Sequence, residues 1–191
     1  MKIGLFFGSF NPIHIGHLAI ANYFSEFSDL DQVWLVISPQ NPFKERKALL
    51  PEYHRFRMAE LAVEDDLRIQ PSRIEFMLPK PSYTINTLTY LSEKYPNKQF
   101  ALIIGSDNLV YLHKWKNYKE IINHHKLYVY PRSDADPEEF KAQYEMTVVD
   151  APRIEISSSF IRHAIKNGKD IRFFLPPKVF EYIREMHFYE E

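Results

Sequence analysis

Two histidines and a glycine crowd into one short stretch near the start of the chain: Gly8-Ser9-Phe10-Asn11-Pro12-Ile13-His14-Ile15-Gly16-His17. The spacing is H-x-G-H. If a helix begins near Gly16, His17 falls in its first turn and His14 just before it, so both rings can face one anion. A helix N-terminus already offers free N–H donors and about half a positive charge, so two added imidazoles make a small phosphate site. The segment lacks G-x-G-x-x-G and G-x-x-x-x-G-K-[ST], so it is neither a dinucleotide fingerprint nor a P-loop. Two capping histidines, or a metal pair, are the plainer readings. The second is weakened because no Asp, Glu or Cys stands nearby to complete a zinc set.

Two further segments have matching chemistry. Ser38-Pro39-Gln40-Asn41-Pro42-Phe43-Lys44-Glu45-Arg46-Lys47 is a proline-stiffened basic loop from which Lys44 can reach over a polyphosphate. Ile156-Ser157-Ser158-Ser159-Phe160-Ile161-Arg162 reads as a serine-capped helix start. There, hydroxyls and N–H groups would meet phosphate oxygens, and Arg162, one turn in, would add a charged fork.

Such groups converge only if strands deliver them to one edge. Short apolar runs at 3–7, 33–37, 100–104, 127–130 and 147–149 predict buried parallel strands, with an alternating one across 68–76. Helical spacing marks 16–27, 51–63, 85–94 and 118–123. The alternation predicts an α/β, doubly wound parallel sheet, where ligands bind beyond the carboxyl ends of the strands. After Pro152 two consecutive helices, 157–166 and 177–186, predict a small C-terminal helical cap. We therefore expect one domain, 1–191, with 152–191 as a helical subdomain.

The chain has 191 residues, 45% of them apolar, enough for a sizeable core. Its 24 Lys and Arg against 25 Asp and Glu leave a net charge of -1, which argues against nucleic acid or an anionic membrane as partner. The absence of cysteine fits a reducing cytoplasm, and no apolar run approaches the ~20 residues of a membrane span. The remaining histidines, among them His54, His113, His163 and His187, read as surface or cap residues.

Taken together, these segments resemble the H-x-G-H nucleotidylyltransferase superfamily. More narrowly, the chain is similar to the bacterial nicotinate-nucleotide adenylyltransferases through Ser82-Tyr83-Thr84-Ile85-Asn86-Thr87-Leu88, Ile104-Gly105-Ser106-Asp107-Asn108, Trp115 and Ile171-Arg172-Phe173-Phe174-Leu175-Pro176. The resemblance implies a Rossmann-like nucleotidylyltransferase fold and adenylyl transfer from ATP to nicotinate mononucleotide, giving deamido-NAD and pyrophosphate in NAD biosynthesis. It implies His14, His17, Lys44 and Arg162 as the catalytic set. Gly8, Ser9, Phe10, Gly105, Asp107, Ser157, Ser158 and Ile161 would complete the ATP site, and Tyr83, Thr84 and Trp115 the pyridine pocket. Mg²⁺ would arrive with ATP rather than on a protein metal site, and a homo-oligomer is compatible with the family. Phe7 stands where the family usually has another glycine, Ser9 and Ser159 replace threonines, and Asn11 replaces an aspartate. Two other readings remain: the same chemistry with another acceptor, such as nicotinamide mononucleotide or pantetheine phosphate, and a non-catalytic nucleotide-binding module.

Overall fold

The computed structural model describes residues 1–39, 49–132 and 135–190. Its strands are β1 (Lys2–Gly8), β2 (Gln32–Ile37), β3 (Ile69–Ser72), β4 (Gln99–Gly105), β5 (Leu127–Tyr130) and β6 (Met146–Val148). They form one sheet in the order β3-β2-β1-β4-β5-β6, and every pairing is parallel. Chain order reverses between β1 and β4, and a crevice opens at such a switch point, beyond the carboxyl ends of the strands.

Strand periodicity explains why both faces are covered. Ile3 and Leu5 of β1, Phe100, Leu102 and Ile104 of β4, and Leu127 and Val129 of β5 share one core. Their alternating neighbours, Phe6, Ala101, Ile103, Tyr128 and Tyr130, share the other with Val33, Leu35 and Ile37 of β2. A period of two thus sends apolar side chains to both sides, which only a sheet sandwiched between helix layers can bury.

The first face is covered by α1 (Ile15–Phe27), α2 (Glu52–Val63), α6 (Ser158–Lys166) and α7 (Pro177–Glu185). The second is covered by α3 (Thr84–Lys94), the single turn α4 (Leu109–Leu112) and α5 (Tyr118–His124). After α6 the chain returns to the first core through Ile171, Leu175, Val179 and Ile183, and α7 packs on α2. The two helices expected after Pro152 are therefore bound to the sheet through buried aliphatic side chains.

One predicted element is shorter than its sequence pattern. The alternation across 68–76 predicts a single strand, yet β3 stops at Ser72 and Ile74–Met77 is a 3₁₀ turn. Arg73, at φ -97° and ψ 22°, leaves the extended region and ends the strand. Pro71 within β3 is tolerated because β3 is an edge strand, where a missing donor faces no neighbour.

Candidate active site

β1 runs through Phe7, paired with Val36, and Gly8, paired with Ile37, so the turn to α1 begins only at Ser9. Phe10 is left-handed, at φ 45°, an unfavourable conformation for an aromatic residue. Burial holds it there: its ring packs edge-on against Phe6 at 5.8 Å and His17 at 4.9 Å. The same ring lies over Gly8, where any Cβ would come within 2.8 Å of Phe10 Cζ.

His14 is the N-cap residue of α1, and His17 lies in the first turn. Their rings stack with centroids 3.7 Å apart and 29° between planes. Gly16 makes this possible, since a Cβ there would meet the His14 ring at 3.0 Å and Ile154 at 3.1 Å. His14 is 3% exposed, and burial, with a smaller push from Arg132, lowers its pKa to about 4. It is therefore a neutral imidazole at pH 7. The His14 backbone N–H donates to Nδ1 of His17 at 3.3 Å, which leaves the Nε2 of a neutral His17 to carry the proton. The pair can serve as fixed N–H donors at a helix start, His14 in its neutral form.

A web of hydrogen bonds fixes the turn above them. Arg162 Nη1 donates to Asn11 O at 2.8 Å and its Nη2 to Ser159 Oγ at 3.2 Å. Ser158 Oγ donates to Pro12 O at 2.9 Å, while Ser157 caps α6 by accepting from Phe160 N at 3.1 Å. The start of α6 is thereby bonded to the start of α1. Half-buried Tyr189, 178 residues on, donates its hydroxyl to Asn11 Oδ1 at 2.8 Å, and Leu50 N donates to the same atom at 3.3 Å.

Arg55 is the strongest tie. Its side chain is fully buried, and it donates to Ser9 O (2.6 Å), Ser38 O (2.8 Å), Leu50 O (2.9 Å) and Pro39 O (3.2 Å). One guanidinium from α2 thus joins the turn after β1 to the chain after β2. Burial pulls its pKa down, but a guanidinium remains charged at any physiological pH.

These parts surround a cavity of about 900 Å³ at the carboxyl ends of the strands. That is near the top of the usual range for small-molecule sites, enough for more than one nucleotide-sized group. Its walls include Gly8, Ser9, Phe10, His14, His17, Gly105, Asp107, Ser157, Ser158 and Arg162, with Tyr83, Thr84 and Trp115 on the side of α3. Of the residues singled out from the sequence, Ile161 is not on the wall: it is fully buried, on the core stripe of α6 with Ala164. Lys44 lies outside the described residues.

Several wall residues were not picked out from the sequence. Arg132 follows β5 directly, bonds through its backbone N to Ser106 Oγ at 2.9 Å, and sits 3.8 Å from Asp107. The rule that places ligands at strand carboxyl ends could have found it. Lys114 and Lys116 flank Trp115 on the wall, Lys116 with its ammonium 4.6 Å from the centre of the Tyr83 ring. Arg132, Arg162 and these lysines give a nearly neutral chain a locally cationic crevice, suited to polyphosphate.

Parallel order 3-2-1-4-5-6, with two helix starts presenting hydroxyls, imidazoles and cations to one crevice, defines a Rossmann-like nucleotidylyltransferase. The chain belongs to the cytidylyltransferase-like family, whose profile matches residues 5–164, and within it to the nicotinate-nucleotide adenylyltransferases. It is 55% identical over 193 residues to the "probable nicotinate-nucleotide adenylyltransferase" of Flavobacterium johnsoniae, covering 100% of both chains. The protein of the same name from Cytophaga hutchinsonii is 50% identical, covering 99% of this chain and 98% of its own. Among solved structures, the Plasmodium falciparum nicotinic acid mononucleotide adenylyltransferase complexed with NaAD shares the fold at a TM-score of 0.83 and 21% identity. That match covers 99% of this chain and 97% of the other.

Proposed function

We propose that the protein transfers the adenylyl group of ATP to nicotinate mononucleotide. A 5′-phosphate oxygen of the acceptor forms a bond to the α-phosphorus as the bond to pyrophosphate breaks, and deamido-NAD results. One observation carries this reading above the rest: the H-x-G-H helix start, the Arg162 helix start and the Thr84–Trp115 wall face a single cavity. The nucleophile is already an anion at neutral pH, so a general base would add little. Rate must come from alignment and from donors fixed where charge develops.

In this reading the N–H groups of His14 and His17 meet the α-phosphoryl oxygens, and Arg162 meets the departing pyrophosphate. Lys44 is assigned the same anion by its place after β2. Burial favours the task given to the histidines, because rings already held by stacking and by the backbone need no reorganisation as the reaction proceeds. At the other end, Tyr83 and Thr84 at the start of α3 share a cavity with Trp115, which supports a helix start for a pyridine carboxylate and an indole to stack on the ring.

Mg²⁺ would come with ATP and would supply charge to its phosphates. No group of three His, Cys, Asp or Glu able to cage a metal occurs among the described residues, and the Asp107 carboxylate stands beside Arg132. An ion held through substrate phosphates and water fits that donor set. No helix of the described residues is long and apolar enough to cross a membrane, and a cytoplasmic site of action, where ATP is plentiful, belongs to the same proposal.

Pyrophosphate release with ATP or CTP and each candidate acceptor tests this reading. A nicotinamide in place of nicotinate would set an NH₂ against a backbone donor, at about 1–3 kcal/mol, so the acid should win by at least ~10-fold in kcat/KM. Equal values, or a preference for the amide, would remove the acceptor assignment and leave adenylyl transfer standing. A failure to release pyrophosphate with any acceptor tried would return the protein to the nucleotide-binding modules.

A further inference from the structure

Glu75 is a buried carboxyl for which the chemistry above has no use. It sits on the 3₁₀ turn after β3, is 1% exposed, and forms part of the cavity wall beside Ser82, Tyr83 and Thr84. Its Oε1 accepts from Thr87 Oγ1 at 2.8 Å, and Thr87 is itself buried, one turn into α3. Its Oε2 has no hydrogen-bond partner among the described residues, and neither has the hydroxyl of Ser82, a residue 9% exposed. Burial raises the pKa of Glu75, while the nearby hydroxyls of Thr87, Ser38 and Ser82 draw it back down.

The start of α3 is otherwise loosely fixed. Its N-cap residue, Tyr83, makes no side-chain capping bond, and the preceding segment passes through Pro79 and Pro81, whose nitrogens donate nothing. Glu75 is thus the side chain that ties this helix start to the edge of the sheet, and it keeps a free oxygen next to the serine that leads into it. An unpaired buried carboxyl oxygen is costly in any core. Here it belongs to a residue on the wall of the cavity.

We propose that Glu75 is a positioning residue for the acceptor: through Thr87, and with Ser82 as its second hydroxyl, it sets the N-terminus of α3 against Trp115 and thereby governs which pyridine nucleotide is accepted. The inference rests on the adenylyl-transfer reading. A helix start discriminates an acid from an amide only if its N–H groups stand within a fraction of an ångström of the right place. In that reading ATP is held at the starts of α1 and α6, whereas the hydrogen bond of Glu75 goes to Thr87 of α3.

The test uses the full chain. It has 2 tryptophans, so Trp34→Phe leaves Trp115, on the cavity wall, as its sole tryptophan, read by selective excitation. Glu75→Ala and Thr87→Val are each titrated with nicotinate mononucleotide and with ATP, and KM is measured for both. Each variant should weaken the mononucleotide by ~10-fold or more, keep ATP within ~2-fold, and reduce the preference for acid over amide. Glu75→Gln, which retains an oxygen for Thr87, should recover most of the affinity. Unchanged acceptor binding, an equal loss for ATP and acceptor, or a Gln variant as poor as Ala would overturn the proposal. If Glu75→Ala does not fold, Thr87→Val decides. Failure of the underlying reading appears in the wild type, as use of a different acceptor. Failure of this inference appears as a variant-to-wild-type ratio near one for whichever acceptor the wild type uses.

Discussion

Replacing Arg55 with methionine, which fills much of the same space, removes one guanidinium and four hydrogen bonds at once. Ser38 O and Pro39 O lie in buried surroundings and would be left without a partner, at about 1–3 kcal/mol each. Ser9 O and Leu50 O are partly buried and can turn to water. Against this stands the relief of no longer burying a charge, which offsets part of the loss. The net is about 2–4 kcal/mol, and for a chain of 191 residues each kcal/mol moves Tm by about 2–4 °C. Circular dichroism melts should therefore show Arg55→Met lower by roughly 4–16 °C. Because Ser9 O belongs to the turn proposed to bind phosphate, kcat measured well below that Tm should also fall, by about 10-fold. Arg55→Lys, keeping the charge without the fork, should lie between. A Tm within about 2 °C of wild type would show that the four bonds stabilise nothing, and a lowered Tm with unaltered kcat would uncouple the clamp from the turn.

Gly16→Ala should leave Tm within about 2 °C, since alanine favours the helix while crowding His14 and Ile154, yet cut turnover at least ~10-fold by shifting the His14 ring; full activity would refute the packing argument. His17→Ala should fold normally and lose roughly 10²-fold in kcat, as read from pyrophosphate release, the scale for one lost transition-state donor. Because His14 titrates at about 4 folded against 6.5 unfolded, the unfolded chain binds the extra proton first, so stability is lost as pH falls from 6.5 toward 4. In urea titrations between pH 7 and 4 the wild type should lose about 3 kcal/mol more than His14→Gln, and equal slopes would mean that the ring is not buried neutral.

The sheet was legible because each central strand is a short run of Val, Ile, Leu or Phe, and the cavity because its glycines, histidines and serines stand at strand ends and helix starts. Arg55 was not. On a helix spaced like α2 an arginine reads as a solvated residue, as Arg57 in fact is, and only the fold shows that position 55 faces four carbonyls. Glu75 was hidden for a related reason, since alternation carried the reading of β3 past the point where Arg73 turns the chain. Arg132 had a signal in its place after β5, but one arginine at a strand end carries no spacing to compare.

Tyr189 and Asn11 stand 178 residues apart and share a hydrogen bond. At ordinary rates of synthesis Tyr189 is added roughly 10–35 s after Asn11. In that interval β1, α1 and their neighbours can assemble, yet the turn lacks the hydroxyl on Asn11. A nascent chain that stalls shortly before residue 189 would therefore carry a nearly finished core around a turn that still lacks one of its hydrogen bonds.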